Sequence, residues 1–396
     1  MERNDAAGRR FIYYLSLLGF FAIFSTTISK NPVLPLFAKS LGSDEALIGL
    51  IAALSPLAGM LFSFPVGVLS DQLGRKKLLL ASGAVFMTAP LFYIFVQDAV
   101  YLIPIRFFHG FSTAILGPVV STIIVERFAK NKGEMLGMYS SATLIGRTIA
   151  PLVGGAIIGY FAAYPGLLKY HLVYLAAFAA SIPLFLMVLF YKDKRVASKG
   201  VRISHFKRSF TSFFSERRMR AAAFVQMSTY FTFGAFETYM PLLMQMKGLT
   251  AYDIGIIFSI QILSIALTQP IFGRLSDKSD RRIQIVAGLL LLGCSVAAMP
   301  FLSSLAGFVT LSIFAGLGMS FSTVATGAYV ADIAKKEELG ASMGALSSTM
   351  DIGHSFGPLV TGIIITSFDY TTGFMASLAL SIAVSLFFIW SVFRKR

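Results

Sequence analysis

The sequence predicts an all-α membrane protein of twelve transmembrane helices, arranged as two pseudo-symmetric six-helix bundles. Three observations predict this fold: the composition, the recurrence of long apolar runs and an internal repeat. Of the 396 residues, 56% are hydrophobic and 13% are charged, and the mean hydropathy is +0.74. Soluble domains carry about 25% charged residues and have too little interior to hide this much apolar surface. The composition therefore indicates a chain that lies in a lipid bilayer.

Apolar runs long enough to cross a bilayer recur along the whole chain. A spanning helix needs roughly 20 mostly apolar residues. The charge-free run from Ile283 to Ala331 is too long for one span, and Pro300–Ser304 provides a turn that divides it. No cleavable signal peptide is expected, because the first apolar run lacks a small-residue cleavage pattern. The predicted spans are 11–37, 47–69, 78–97, 100–126, 135–160, 170–191, 219–244, 252–274, 283–302, 306–332, 340–366 and 371–393.

The basic residues determine the expected orientation. The net charge of +15 resembles that of a nucleic-acid-binding protein, but the lysines and arginines occur in short clusters between apolar runs. With both termini in the cytoplasm, 28 of the 34 lie on the inner side, and four lie outside. Inner loops are enriched in Lys and Arg. We therefore expect a multi-pass protein of the cell inner (plasma) membrane with both termini cytoplasmic, and no nucleic-acid partner.

An internal repeat divides the chain into two similar halves. The stretch PLFAKSLGSDEALIG begins at Pro35, and PLLMQMKGLTAYDIG begins at Pro241, 206 residues later. Later motifs repeat at an offset of 206 or 207. Duplicated membrane halves place a substrate site at their interface and rock around it. We expect an N-terminal bundle (1–191), a basic cytoplasmic linker (192–218) and a C-terminal bundle (219–396). In the linker, Phe206, Phe210, Phe213 and Phe214 share one helical face, which suits either an amphipathic helix on the membrane or a solvated linker.

The motifs resemble those of the major facilitator superfamily. GVLSDQLGRKK, beginning at Gly67, resembles the signature loop of that family, and GRLSDKSDRR at Gly273 is its degenerate copy. RFFHG (106–110) resembles the span-four motif R-x-x-Q-G of the proton-driven members, with His109 in place of Gln. A glycine and proline pattern in span five, with Ala150 where glycine is usual, is similar to that of the exporters of the drug/proton antiporter branch. The positions of this pattern and its copy are Gly137, Gly146, Pro151, Gly154, Gly155, Gly344, Gly353, Gly357 and Pro358.

The resemblance implies a cytoplasmic gate at the signature loop. Asp71 ends span two, where the family places a carboxylate opposite a helix N-terminus that favours an anion. Arg75 and Glu126 are expected to pair, and Asp277 and Arg281 occupy the corresponding places in the second half. Ordinary inner-leaflet anchoring by basic residues is the alternative interpretation for this loop.

Ionisable residues within the spans are the candidates for coupling or substrate binding. A charge at the bilayer centre costs roughly 2.5–3.5 kcal/mol on the translocon insertion scale, so such residues are paired, face water or have a function. The candidates are Glu237, Asp351, Arg106, Arg147 and His354. We expect Arg147 to balance Asp351 or Glu237. The alternatives are an outer-mouth position for Glu237, a structural ion pair of Asp351 with Arg147 and a satisfied interior histidine at His354.

These features favour a secondary active transporter that works by alternating access, with proton-coupled efflux of small amphipathic compounds. The alternative is proton-linked or facilitative uptake of a sugar or organic anion. A more remote alternative is a non-transporting membrane receptor. The sequence has no phosphate-binding loop, hydrolase motif or metal-ligand cluster. We therefore expect no enzyme activity, no metal and no cofactor except the proton, with a small molecule and the bilayer as partners of a monomer.

Overall fold

The computed structural model describes residues 2–128, 131–192, 213–335 and 338–393. Within these ranges, the side chains of residues 2–7, 64, 65 and 67–73 are not described. All regular elements described are helices. The first half contains α1 (Glu2–Ile28), α2 (Val33–Ser40), α3 (Glu45–Leu73), α4 (Arg75–Ile94), α5 (Leu102–Arg127), α6 (Lys132–Tyr160) and α7 (Leu168–Phe190). The second half contains α8 (Arg217–Met246), α9 (Ala251–Lys278), α10 (Arg281–Ala298), α11 (Leu305–Ile333), α12 (Leu339–Ser367) and α13 (Tyr370–Phe393).

By length and composition, ten helical stretches of the described residues can cross a membrane. The predicted span 11–37 proved to be two helices, because the helix ends at Ile28 and restarts after Pro32, which has no N–H for a helix interior. The spans predicted at 219–244 and 340–366 form α8 and α12, which are as long as the others but are not among the ten. Polar side chains lower their hydropathy, and these two helices carry Glu237, Asp351 and His354.

The chain separates into two compact units. Unit 1 comprises residues 1–42, 57–200 and 254–259, and unit 2 comprises residues 43–56, 201–253 and 260–396. Each unit therefore contains a short segment from the opposite half of the sequence, namely the start of α3 in unit 2 and part of α9 in unit 1. Both segments correspond at the offset of 206, so they are equivalent parts of the repeat.

Each unit uses the same helix pairings. In unit 1, α1 packs on α6 and α7, and α4 packs on α5 and α7. In unit 2, α8 packs on α12 and α13, and α10 packs on α11 and α13. These pairs correspond one to one under the repeat, so the duplication seen in the sequence is also a duplication of packing. Unit 1 encloses one apolar cluster, which includes Leu79, Phe86 and Val120. Unit 2 encloses a second, which includes Phe213, Leu289 and Phe388.

The amphipathic helix considered for the linker lies mostly outside the described residues. Phe206 and Phe210 are outside them, whereas Phe213 is buried in the apolar cluster of unit 2, and Phe214 packs against that cluster. The two described phenylalanines thus pack against protein, at the start of the second bundle.

Candidate functional site

A carboxylate and an imidazole meet between α8 and α12 of unit 2. Nε2 of His354 lies 2.8 Å from Oε2 of Glu237, and the Glu237 residue is only 8% exposed. Phe233 and Tyr230 flank the imidazole, with ring centroids 5.9 and 6.1 Å from it. A buried carboxylate that pairs with a histidine is an arrangement able to bind and release a proton, because both partners have neutral and charged forms.

Glycines allow the two helices to approach closely enough for this contact. A Cβ on Gly234 would lie 3.1 Å from the His354 ring and carbonyl oxygen. On α12, a Cβ on Gly353 would meet the carbonyl oxygen of Met227, and one on Gly357 would meet that of Phe231, at 2.1 and 2.2 Å. Since these neighbours are backbone atoms, no side-chain movement would relieve the contacts. The glycines predicted as an exporter motif therefore pack α12 against α8 on either side of His354.

Asp351 and Arg147 differ from Glu237 in their surroundings. Asp351 lies one turn before His354 on α12 and is half-buried. Among the side chains that the structure describes, none pairs with its carboxylate. Arg147 is exposed on α6 of unit 1, and no ion pair is recorded for it within the described ranges. Within unit 2, Glu237 pairs with His354. The expected balance of Arg147 with Asp351 or Glu237 stays a prediction, because Arg147 belongs to the other unit.

Arg106 lies in a separate polar cluster inside unit 1. It is 1% exposed and packs with Tyr93, His109 and Tyr174 between α4, α5 and α7. Arg106 lies beside Tyr93, whose hydroxyl lies 3.5 Å from Nδ1 of His109 and whose ring stacks on Tyr174. No carboxylate among the described residues pairs with Arg106, and its Nε has no partner. Arg106 thus belongs to unit 1, whereas Glu237 and His354 belong to unit 2.

The predicted gate residues form ion pairs within each unit. In unit 1, Nη2 of Arg75 lies 2.5 Å from Oε1 of Glu126. Arg281 of unit 2 pairs with Asp332 and, at 3.2 Å, with Asp277. Each pair joins the start of one helix to the end of another within one unit. The side chain of Asp71 is outside those described.

Sequence reasoning missed Asp332, although the repeat contained the signal. Glu126 plus the offset of 206 is Asp332, just as Arg75 plus 206 is Arg281. The same offset pairs Glu237 with Asn31, so the carboxylate of the Glu237–His354 pair has no counterpart in the first half.

Near Arg282, the loop carboxylate Asp280 caps α10, and hydrogen bonds from Arg282 hold the pKa of that carboxyl below its usual value.

Two glycines of the predicted pattern on α6, Gly146 and Gly154, lie against other helices of unit 1. A Cβ on Gly146 would lie 2.8 Å from the carbonyl oxygen of Phe20, and one on Gly154 would contact Ile28 and Val33. Gly137, in contrast, faces open space. Close packing thus accounts for Gly146 and Gly154, whereas nothing in the structure explains a glycine at position 137.

A cavity of about 770 Å³ opens at one end of unit 1, among α1, α5 and α6. Small-molecule sites have volumes of roughly 300–1,000 Å³. The lining combines aromatic and aliphatic side chains with two arginines, and its residues are Gly8, Arg9, Ile12, Tyr13, Arg127, Phe128, Asn131, Glu134, Met135 and Met138. Within the described ranges, no group of three or more His, Cys, Asp or Glu residues is placed to hold a metal.

Comparison with known proteins identifies the family. The sequence profile of the Major Facilitator Superfamily matches residues 15–265 and 222–396, which is nearly the whole chain. The chain belongs to the Major Facilitator Superfamily. It is thus a multi-pass membrane transporter, as expected from the signature loop, and not an enzyme.

Individual members of the superfamily match over almost their full length. The chain is 24% identical to multidrug resistance protein 2 of Bacillus subtilis, covering 96% of this chain and 95% of that protein. It is 25% identical to the nitrite extrusion protein of the same organism, covering 88% and 86%. The solved nucleoside transporter NupG superposes with a TM-score of 0.83 at 14% identity, over 97% of this chain and 99% of that one. The major facilitator fold is thus established for this chain.

Proposed function

We propose that the chain is a proton-coupled exporter of small amphipathic compounds that works by alternating access. The Glu237–His354 contact carries the proposal, because it places two proton-binding groups 2.8 Å apart on two long helices that the sequence predicts to be membrane spans. A charge there is costly, and a proton-coupled carrier needs a group that is charged at one stage of the cycle and neutral at another. The relative named as a multidrug resistance protein supports the same assignment.

In this proposal the proton and the substrate bind to the same group of unit 2, the carboxylate of Glu237. A cationic compound stabilises an ionised carboxylate and a proton neutralises it, so the two compete for Glu237. Asp351, half-buried one turn from His354, is the second proton acceptor of the proposal. The inner side of the membrane is assigned to both chain termini, from the 28 basic residues expected there.

The test is transport by purified protein in liposomes with an imposed pH gradient. A panel of cationic dyes, sugars and organic acids is screened for flux, with internal pH recorded at the same time. We expect dye efflux that consumes the gradient, abolished in Glu237→Gln and reduced in Asp351→Asn. If both variants keep full proton-coupled flux, the coupling assignment is wrong.

Transport of an anion is the second candidate. Arg147 supports it, because an exposed arginine with no ion pair among the described residues would suit a negatively charged solute. The relative named as a nitrite extrusion protein supports it as well. Flux of nitrite or an organic acid that is lost in Arg147→Gln, without dye transport, would favour this candidate over the first.

A further inference from the structure

The first turns of α3 are held in unit 2 by a small set of hydrogen bonds. The Tyr239 hydroxyl lies 2.6 Å from the carbonyl oxygen of Pro358 and 3.0 Å from that of Glu45. The Tyr370 hydroxyl donates to Oε1 of Glu45 at 3.0 Å, and the Ala46 N–H donates to Oγ1 of Thr366 at 2.9 Å. Glu45 is thus half-buried. The contacts connect α3 to α8, α12 and α13.

Two glycines make room for the Tyr239 hydroxyl. A Cβ on Gly49 of α3 would lie 2.2 Å from it and 2.3 Å from the carbonyl oxygen of Pro358. A Cβ on Gly362 of α12 would lie 2.1 Å from the hydroxyl and 2.5 Å from the carbonyl oxygen of Glu45. The hydroxyl therefore fits into a gap that exists only because both positions lack a side chain.

The repeat provides an internal comparison, because unit 1 contains the equivalent crossing without the hydrogen bonds. Gly255 of α9 corresponds to Gly49, and Pro151 of α6 corresponds to Pro358. A Cβ on Gly255 would lie 2.5 Å from the carbonyl oxygen of Pro151, so the close approach is the same. The residue that corresponds to Tyr239 is Val33, which has no polar side-chain atom. Both units therefore have the close contact between a glycine and a proline carbonyl group, and only unit 2 adds a tyrosine hydroxyl to it.

Tyr239 also lies close to the proposed proton site along the same two helices. It follows Glu237 by two residues on α8, and its acceptor Pro358 follows His354 by four residues on α12. Pro358 has no N–H, so the carbonyl group of His354 lacks the helix hydrogen bond that it would otherwise accept. The α12 backbone thus lacks one helix hydrogen bond between the proton site and the Tyr239 contact.

We propose that Tyr239 is a positioning residue that latches the first turns of α3 (residues 43–56) to α8 and α12. In its closed state the latch holds these turns against α8 and α12, and its hydrogen bonds break when access alternates. The inference rests on the proposed transport cycle, whereas its physical core, the dependence of the α3 contact on one hydroxyl, is testable without any substrate.

The experiment measures cross-linking between α3 and α12 in membranes. In a Cys294→Ser background, Ala46→Cys and Thr366→Cys are joined with a short bis-methanethiosulfonate reagent, and the initial rate is compared with and without Tyr239→Phe. Phenylalanine keeps the ring and removes the hydroxyl. Loss of one net hydrogen bond should reduce the closed population relative to the open one by roughly 2- to 12-fold, and the cross-linking rate should fall with it. An unchanged rate overturns the proposal.

Further variants separate the latch from general damage. Tyr252→Phe, at a residue that is 48% exposed on α9, is the matched control and should leave the rate unchanged. Gly49→Ala pushes on the same hydroxyl from α3 and must also slow cross-linking, which keeps the proposal testable if Tyr239→Phe folds poorly. Both Tyr239→Phe and the control should have the same melting temperature as the parent.

Transport distinguishes failure of the latch from failure of the proposed function. If cross-linking depends on the hydroxyl but no solute is moved in liposomes, the latch stands and the transport assignment fails. If the protein pumps dye and Tyr239→Phe changes neither cross-linking nor the maximal rate, the transport assignment stands and the latch is wrong. We expect Tyr239→Phe to alter the maximal rate more than the half-saturating substrate concentration.

Discussion

At the scale of single residues, the candidate chemistry depends on which side chain each buried charge meets. Glu237 meets His354, Arg75 meets Glu126 and Arg281 meets Asp332. Arg106 instead meets tyrosines and a histidine within unit 1. Glu237, His354 and Arg106 could be singled out from the sequence because ionisable residues are rare in membrane helices, and the resemblance predicted the Arg75–Glu126 pair. The partners of Glu237 and Arg281 were not predicted, because the choice of partner depends on how each helix is rotated, which the position of a span along the chain does not determine.

The His354 imidazole should determine part of the pH dependence of transport. His354→Gln keeps a hydrogen-bonding side chain for Glu237 but removes an imidazole that can bind and release a proton. We expect the transport rate to vary less with pH than in the parent, measured with dye-loaded liposomes. The matched control is His171→Gln, on α7 of unit 1, which should keep the parent profile. An identical pH profile for His354→Gln would remove the imidazole from the proposed proton site.

The Arg75–Glu126 pair should stabilise unit 1. Both side chains are mostly buried, so Arg75→Ala leaves a carboxylate without its partner. A hydrogen bond to a charged group contributes about 1.5–3 kcal/mol, and we expect a destabilisation of that order, read as a lower melting temperature in detergent. The exchange of Arg75→Glu with Glu126→Arg should recover part of the loss. Equal stability of Arg75→Ala and the parent would contradict a stabilising pair.

At the scale of elements, backbone contact between helices explains most of the predicted glycine pattern. Gly353 and Gly357 of α12 lie against carbonyl groups of α8, and Gly146 of α6 lies against one of α1. The resemblance predicted which glycines to single out, and the repeat predicted that they occur twice. The start of α3 was not predicted to join unit 2, because hydrophobic periodicity defines a helix but not the neighbours at its two ends.

Gly357→Ala should be costly, whereas Gly340→Ala in the same helix should not. A methyl group at 357 would overlap the Phe231 carbonyl, and overpacking of this kind costs about 1–3 kcal/mol. A Cβ at 340 meets no atom, and alanine there improves helix propensity by up to about 1 kcal/mol. Thermal unfolding in detergent checks both. Similar melting temperatures for the two variants would show that α8 and α12 have room to separate.

At the scale of the whole molecule, the duplication is the feature that sequence predicted best. A constant offset predicted two bundles, and the helix pairings repeat in both units. It also predicts Asp332 from Glu126, a step that requires only the offset. The repeat does not predict the residues that differ between the two halves. Glu237 corresponds to Asn31, and Tyr239 corresponds to Val33. At these positions the two halves carry different side chains, and a repeat cannot predict the residues by which its copies differ.

The distribution of basic residues should orient the entire chain. In a Cys294→Ser background, Lys335→Cys is expected at the inner surface and Lys247→Cys at the outer surface. In intact cells, a membrane-impermeant thiol reagent should label Lys247→Cys alone, and both should react after the membrane is opened. Labelling of Lys335→Cys in intact cells would reverse the orientation and, with it, the direction proposed for transport.

The close contacts between glycines and backbone carbonyl groups limit how far the sequence of this protein can vary. At positions 49, 255, 353 and 357, the facing atoms are backbone carbonyl groups, which every amino acid possesses and no compensating substitution can shorten. A saturation library selected for growth on a toxic substrate should therefore return glycine almost exclusively at these four sites, even where all surrounding side chains drift. Such positions would be among the slowest-changing of the lineage, because they serve the packing of the helices.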